Sequence, residues 1–536
     1  MTESNPPPDL LDLLSGLEHI LEYPTRDSPR DAPRHAAITG VTMDSRQVQP
    51  GYLFVAVSGG ASDGHRYLAD AVRRGAAALV GERPLSELSI ADLPVPYIRV
   101  ADSRKALASL AAAFYGRPAH HMVMIGVTGT DGKTTTANLI FQILQAAGLR
   151  AGMISTVNAL IGGQVLDTGF HVTTPEAPSV QAYLAQMAAA SLTHAVLETT
   201  SHGLAQQRVA ACEFDIGVVT NITHEHLDYH GNFEAYRAAK GVLFAGLAAT
   251  PTKPIAAPRA AVLNRDDGSF EYLSALAQVP VLSYGLASPA DVVAQDIVSR
   301  SDGLRFTAVG RDLDGSSFRL PLATSLIGGF NVYNCLAALA LGLVLKLEPE
   351  AIRLGISALH AVPGRMESID LGQDFTAMVD FAHTPNALRR SLEAARKLTT
   401  GRVIAVFGSA GLRDKQKRRM MAQVSAELAD LSVLTAEDPR TESLAAILAE
   451  MAAGAQASGG LEGKTFWRVP DRRAALRFAV GLARPGDLVI TCGKGHEQSM
   501  CFGEVEYLWD DRVALRAALA EHLGVPGPEM PYLPDM

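Results

Sequence analysis

Two rhythms of apolar and polar positions run along this chain. Unbroken apolar runs such as Met122–Ile125, Ile216–Val219 and Val403–Phe407 read as strands buried on both faces, and the segments between them place apolar residues three and four apart, as amphipathic helices do. Strands alternating with helices predict an α/β chain on mostly parallel sheets. At the N-terminus Leu11, Leu14, Leu17 and Leu21 carry helical spacing over Leu10–Leu21, and the stretch of Pro, Arg and Asp from Pro24 to Pro33 reads as a linker. Ile38–Arg46, Leu53–Val57 and Ala76–Val80 read as strands and Tyr67–Arg74 as a helix, so residues 1–117 form a small α/β domain whose first 36 residues are partly flexible. A central domain over 118–361 continues through strands at Ala195–Glu198, Ile216–Val219 and Ala261–Asn264 to a helix running through Leu336–Leu345. Pro363–Glu367 punctuates the chain. Residues 362–536 then alternate Ala377–Asp380, Asn386–Lys397, Val403–Phe407, Lys417–Ala429 and Leu431–Thr435 as a Rossmann-like domain.

Polar knots close these apolar runs, where α/β sheets bind ligands. Gly126–Thr136 lies between the strand Met122–Ile125 and a helix marked by Ala137, Ile140, Leu144 and Ala147. The backbone N–H groups of such a turn converge on an anion and the helix N-terminus adds partial positive charge. Lys133 can then reach the outer phosphates of a nucleotide, and Thr134 is placed to ligate Mg²⁺. The loop is a variant, because Val127 stands five before Gly132 and the nearer glycines are Gly126 and Gly129. Glu198 ends its strand as a carboxylate that can complete a Mg²⁺ shell. Asn221–Gly231 holds His224, His226 and His230; zinc is the alternative there, disfavoured by the lack of an HExxH pattern. Asn331 and Asn334, one helical turn apart, either read an adenine edge or cap the helix. Asp44-Ser45-Arg46 and Asp63-Gly64-His65 are smaller knots, each a turn or a ligand contact. Four more follow strands of the last domain: Asp380–Pro385, Gly408–Asp414, Glu437–Arg440 and Gly493–Glu497. Four at one edge of a parallel sheet point to a site.

Composition narrows the field. At roughly 150 residues per domain, 536 residues suggest about three domains. A hydrophobic content of 48% with 19% charged residues is that of a globular protein, and no apolar run approaches the ~20 residues that span a bilayer. The net charge of −9 offers no basic face to a nucleic-acid backbone. The cysteines, Cys212, Cys335, Cys492 and Cys501, form no CxxC pair and read as reduced packing residues. Pro6–Pro8 and acidic residues replace the features of a secretory leader, so the expected location is the cytoplasm.

Taken together, Thr128–Thr134, His226–Gly231, Gly364–Glu367, Ala382–Pro385 and Gly493–Glu497, in this order, resemble the Mur ligases, and among them the tripeptide-synthetase branch. The likeness covers nearly the whole chain. It implies three domains: a small α/β UDP-binding domain, a central P-loop ATPase-type domain and a C-terminal Rossmann-like domain. It also implies a monomeric enzyme of peptidoglycan synthesis that uses ATP and Mg²⁺ to join a diamino acid to the D-glutamate of UDP-MurNAc-L-Ala-D-Glu, with no nucleic-acid partner and no membrane insertion. By position, Ser45, Arg46, Asp63, Gly64 and His65 would hold the uridine diphosphate, and Thr173, Thr174, Thr200, Gln206 and Arg208 the muramoyl dipeptide. Thr128, Gly129, Thr130, Asp131, Gly132, Lys133, Thr134 and Thr135 would cradle ATP, with Asn331, Asn334, Arg365, Asp380 and His383 holding and orienting it. Thr134, Glu198 and His226 would ligate Mg²⁺. Lys240 matches the lysine that carries a carbamate in the family, which would make it a further metal ligand; an exposed helix lysine is the plain alternative. Lys133, Glu198, His226 and Lys240 would form the catalytic set. Arg413, Glu437, Asp438, Arg440, Gly493 and Glu497 would line the pocket of the incoming amino acid.

Several positions depart from the family pattern. Leu412 replaces an acidic residue, His224-Glu225 stands where arginine and aspartate are common, and Thr200 replaces a serine. Glu437-Asp-Pro-Arg440 stands where diaminopimelate-adding members have Asp-Asn-Pro-Arg. If Arg440 holds Asp438, the pocket suits lysine or ornithine; if Asp438 turns away, diaminopimelate fits. The implied chemistry is attack of a carboxylate oxygen on the γ-phosphorus of ATP, then displacement of phosphate from the acyl phosphate by an amine. Other Mur ligases and folylpolyglutamate synthases are rivals within the class, and a nucleotide-binding switch or regulator is the rival outside it.

Overall fold

The computed structural model describes residues 7–17, 20–22, 36–59, 63–88, 94–166, 174–223, 225, 227–287, 289–300 and 302–534. The expected linker, with Thr173, His224 and His226, lies outside them. Three sheets carry the described residues, with a separate two-stranded ribbon, Ser499–Phe502 with Val505–Leu508. The first has five strands in the order Ile20–Glu22, Tyr97–Val100, Ala78–Gly81, Tyr52–Val55, Gly40–Thr42, parallel except for Ile20–Glu22. The N-terminal helix is shorter than its leucine spacing predicts. It covers Leu10–Leu14 and buries Leu10, Leu13 and Leu14, whereas Leu21 is exposed. A side chain at Gly16 would meet the guanidinium of Arg117 at 1.9 Å, and the chain turns away there to form the edge strand.

The central sheet has eleven strands. Val123–Thr128 lies in its middle, between His194–Glu198 and Ile216–Val219, and is parallel to both. Its side chains alternate between two cores. Val123, Ile125 and Val127 face the helices Lys133–Ala146 and Phe330–Val344, while Met124 packs with Leu243, Phe244 and Leu184 on the other side. Burial on both faces is why this strand reads as an unbroken apolar run. Antiparallel arms that the apolar rhythm does not predict extend both ends: Ala159–Ile161 with Gln164–Leu166, and Val292–Arg300 with Gly303–Arg311 and Ser317–Thr324.

The third sheet has six strands, Glu367–Ser368, Thr376–Asp380, Leu488–Cys492, Val403–Phe407, Leu431–Leu434 and Phe466–Arg468, parallel but for the first, with cores on both faces. The α/β class expected from sequence is therefore the observed one. No helix among the described residues is long and apolar enough to cross a membrane.

Candidate active site

Above the C-terminal ends of the central and third sheets lies a cavity of about 1370 Å³. The phosphate loop forms its floor. Gly132 opens the helix Lys133–Ala146 with φ 82°, and a Cβ there would meet Asn334 Oδ1 at 2.4 Å, so glycine is required by both conformation and space. Lys133 Nζ donates to Thr130 O at 2.8 Å. Thr134 Oγ1 donates to both oxygens of Glu198, at 3.1 and 3.0 Å, and Thr156 N donates to the same carboxylate at 3.0 Å. Thr220 Oγ1 and Asn221 Nδ2 donate to Asp131 O at 2.6 and 3.0 Å and brace the loop from the next strand; sequence reading gave Thr220 no role. Thr128 lies buried beneath the loop, donating to Thr199 O at 2.8 Å.

Asn331 and Asn334 are not caps. The helix begins after Gly329 without a side-chain cap; Asn331 Nδ2 donates to Ile327 O at 2.7 Å and Asn334 Nδ2 to Asn331 Oδ1 at 2.8 Å. Thr136 Oγ1 donates to Asn334 Oδ1 at 3.3 Å, which ties this pair to the phosphate loop. Lys240 is buried rather than exposed. Its Nζ donates to Gly129 O at 2.6 Å and sits 4.6 Å from the ring centre of Tyr236. Burial, reinforced by Lys133, holds its pKa well below the ordinary lysine value.

The third sheet closes over this floor. Arg365 Nη2 donates to Thr134 Oγ1 at 3.3 Å while its guanidinium lies 4.2 Å over Phe381. Asn386 Nδ2 donates to Asp131 Oδ2 at 3.3 Å, and His383 Nε2 lies 3.4 Å from Glu225 Oε1. Burial, then Glu225, raises the Asp131 pKa. Asp380 accepts from Met366 N at 2.8 Å, Ala382 N at 3.0 Å and Ser391 Oγ at 2.8 Å, so it sets the turn that carries Arg365.

Thr174, Thr200 and Arg208 line the same cavity. Thr174 Oγ1 receives Thr200 N at 3.0 Å, and Arg208 Nη1 donates to Thr174 O at 2.8 Å. Gln206 Oε1 accepts from Arg208 Nη2 at 2.7 Å. The uridine candidates stand elsewhere, at the C-terminal edge of the first sheet. His65 is buried and both ring nitrogens are engaged: Nδ1 lies 2.7 Å from Asp63 Oδ1, and Nε2 accepts from Glu82 N at 3.0 Å. It therefore pins Gly64 and its neighbours to the sheet. Ser45 is buried beside Arg46, whose side chain is 83% exposed and pairs with Asp44.

At the edge of the third sheet the cavity is lined by Arg413, Glu437, Asp438, Arg440, Gly493 and Glu497. Asp438 is held by Lys494 and not by Arg440: Lys494 Nζ donates to Asp438 Oδ1 at 2.9 Å, and Cys501 N donates to the same oxygen at 3.0 Å. Lys494, fully buried, also pairs with Glu497 at 2.5 Å. Burial would lower its pKa, but Glu497 and Asp438 outweigh it and raise it. In the sequence Lys494 stands out only as part of the knot Gly493–Glu497, with no sign of this pairing. The backbone of Arg440 is tied to the ribbon through Cys501 O, and its half-buried side chain lines the cavity. Asp438, Arg440 and Leu412 have φ of 41°, 54° and 55°, a cluster of left-handed residues of the kind that collects at binding sites.

Three family profiles match the chain in order: the Mur ligase family catalytic domain over 37–115, the Mur ligase middle domain over 127–342 and the Mur ligase glutamate ligase domain over 364–495. A UDP-N-acetylmuramyl-tripeptide synthetase of Roseiflexus sp. (strain RS-1) is 45% identical, over 91% of this chain and 96% of its own length. A UDP-N-acetylmuramoyl-L-alanyl-D-glutamate--2,6-diaminopimelate ligase of Geobacillus kaustophilus (strain HTA426) is 42% identical, over 90% and 95%. A solved structure of a ligase of that same description superposes with a TM-score of 0.62 at 30% identity, covering 96% of this chain and 99% of the other. The chain belongs to the Mur ligase family. Its activity is that of an ATP-dependent, ADP-forming ligase of peptidoglycan synthesis.

Proposed function

We propose that this ligase joins diaminopimelate to the D-glutamate of UDP-MurNAc-L-Ala-D-Glu, acting in the cytoplasm as a monomer. The observation that carries the choice of amino acid is the pairing of Asp438 with Lys494, which leaves the Arg440 guanidinium to meet a carboxylate at the far end of the side chain. Lysine and ornithine offer none. The relatives named for diaminopimelate support the same reading.

In this reading Lys133 and the loop N–H groups hold the ATP phosphates. Arg365, arriving from the third sheet, offsets charge on the transferring phosphoryl group as the glutamate oxygen attacks phosphorus. Thr134 and Glu198, a buried hydroxyl beside a buried carboxylate, are the hard oxygen donors that suit Mg²⁺, which takes one or two protein ligands plus phosphate oxygens. Bound there, Mg²⁺ supplies further charge neutralisation. His226 and a carbamylated Lys240 would add to that set, the buried, neutral-leaning amine of Lys240 being the form that combines with carbon dioxide. Arg208, Thr174 and Thr200 would hold the dipeptide, and Arg413 the α-carboxylate of the incoming amino acid. Closure of the third sheet over the loop keeps water from the acyl phosphate.

The test is ADP release by purified protein with each substrate omitted in turn. The proposal requires both the UDP-muramoyl dipeptide and diaminopimelate for turnover. Steady release with neither, as a nucleotide switch gives, or with a folate in place of the dipeptide, would refute it.

A further inference from the structure

An amino acid that enters as an ammonium has no lone pair, and its nitrogen must lose a proton before it can attack an acyl carbon. A carboxylate accepts that proton most readily where its oxygens are not already held by cations or N–H donors. Among the described residues lining the cavity, every carboxylate but one holds a partner. Asp438 and Glu497 share Lys494, Asp380 holds two backbone N–H groups and Ser391, and those on the phosphate side hold donors of their own. The histidines lining the cavity are engaged too: His383 Nδ1 lies 3.0 Å from Phe381 O and its Nε2 faces Glu225, and the His202 ring packs on Tyr229 with ring centres 4.2 Å apart.

Glu437 is the exception. It is 5% exposed, and its Oε2 is enclosed without a donor. It follows the strand Leu431–Leu434 and rests against Gly493, where a Cβ would fall 2.4 Å from Oε2; Gly493 has φ 108°, so the bare glycine makes the space the carboxyl fills. Arg472, buried and paired with Asp511 at 2.6 Å, donates to Ala436 O at 3.0 Å and Cys492 O at 2.9 Å, which fixes the residues just before Glu437 and Gly493. The charged groups around the carboxyl are Lys417, His383, Arg472 and Lys494. Burial raises its pKa against the opposing pull of these cations.

We infer that Glu437 is the proton acceptor that converts the incoming ammonium into the attacking amine, an inference that rests on the ligase reading above. The Glu437 carboxylate takes one proton from the ammonium and becomes a carboxylic acid. The freed nitrogen lone pair forms the C–N bond to the acyl carbon. The C–O bond to phosphate then breaks, its electron pair leaving with phosphate, which takes the second proton of the nitrogen.

The experiment supplies wild type and Glu437→Gln with ATP, UDP-MurNAc-L-Ala-D-Glu and either diaminopimelate or hydroxylamine, whose nitrogen is unprotonated at neutral pH. The expected result is a loss in kcat with diaminopimelate of about 100-fold or more near neutral pH, shrinking as pH rises and free amine accumulates. Hydroxamate formation stays near the wild-type rate, which also reports an intact fold and intact acyl phosphate formation. Glu437→Asp, which keeps a carboxylate, restores much of the lost turnover. The inference is overturned if the glutamine variant keeps diaminopimelate turnover close to wild type, if its defect lies in KM with kcat unchanged, or if hydroxamate formation falls in parallel. If wild type itself forms neither amide nor hydroxamate, the ligase reading fails and this inference falls with it.

Discussion

The phosphate loop and the pocket at the edge of the third sheet differ in how many of their groups are already held. In the loop, Asp131, Lys133 and Thr134 each contact protein partners, and Thr220, Asn221 and Asn334 brace the backbone from neighbouring elements. In the pocket, Asp438, Lys494 and Glu497 satisfy one another, while Glu437 stands without a donor and Arg440 faces the cavity. A loop that binds the same nucleotide at every turnover gains from a fixed frame. A pocket that must select one amino acid gains from groups whose desolvation is unfavourable until the matching charge arrives, because a mismatched substrate leaves them unpaired.

The sharpest way to break this contrast is at the loop. Lys133→Ala should lower kcat by about 10²–10³-fold or more, the scale of losing one transition-state charge partner, while the melting temperature stays nearly unchanged because the side chain's hydrogen bond is to its own loop. Retained turnover would show that the loop does not carry phosphoryl transfer. In the pocket, Gly493→Ala should push the Glu437 carboxyl aside and lower kcat/KM for the amino acid by about tenfold, ~1.4 kcal/mol, with KM for ATP unchanged. A parallel rise in both KM values would mean the two regions are not separable.

Asp438→Asn should act on stability rather than selectivity. It removes one of two charge partners of a buried lysine, which costs about 1.5–3 kcal/mol in urea unfolding, and leaves the preference among amino acids nearly as it was. A shift of tenfold or more in that preference would place Asp438 in contact with the side chain after all.

A further effect on stability concerns pH. Burial lowers the pKa of His194 to about 4, and burial followed by Arg365 lowers that of His496 to about 3. Below about pH 6.5 the unfolded chain binds protons at these positions that the folded chain does not, so stability is full above 6.5 and declines as pH falls toward 4 and 3. Urea midpoints measured from pH 7 to 4 should fall accordingly, and His194→Gln should flatten part of the slope.

Much of the phosphate loop was legible because its chemistry is local: a strand, glycines, a lysine and a threonine within one turn. The four knots of the third sheet were legible as strand ends for the same reason. The partner of Asp438 was not. Lys494 is 56 residues away, and its strand is separated from that of Asp438 by Val403–Phe407, an adjacency that only the sheet order creates. The burial of Lys240 was hidden as well, since Gly129 lies 111 residues earlier in the chain. The antiparallel arms escaped notice because strands such as Val292–Arg300 are largely exposed and carry little apolar alternation. The first helix is shorter than the leucine spacing suggests because Ile20–Glu22 pairs as an edge strand with Tyr97–Val100, a long-range pairing that local spacing does not reveal.

The central claim, that Arg440 reads a distal carboxylate because Lys494 has taken Asp438, is tested most directly by kcat/KM for diaminopimelate and for lysine, before and after Arg440→Ala. The account predicts that wild type prefers diaminopimelate by at least about tenfold, and that the variant loses most of that preference by a drop of about 10- to 100-fold, ~1.4–2.8 kcal/mol, on diaminopimelate alone. A wild-type preference for lysine, or an equal drop for both amino acids, would contradict it.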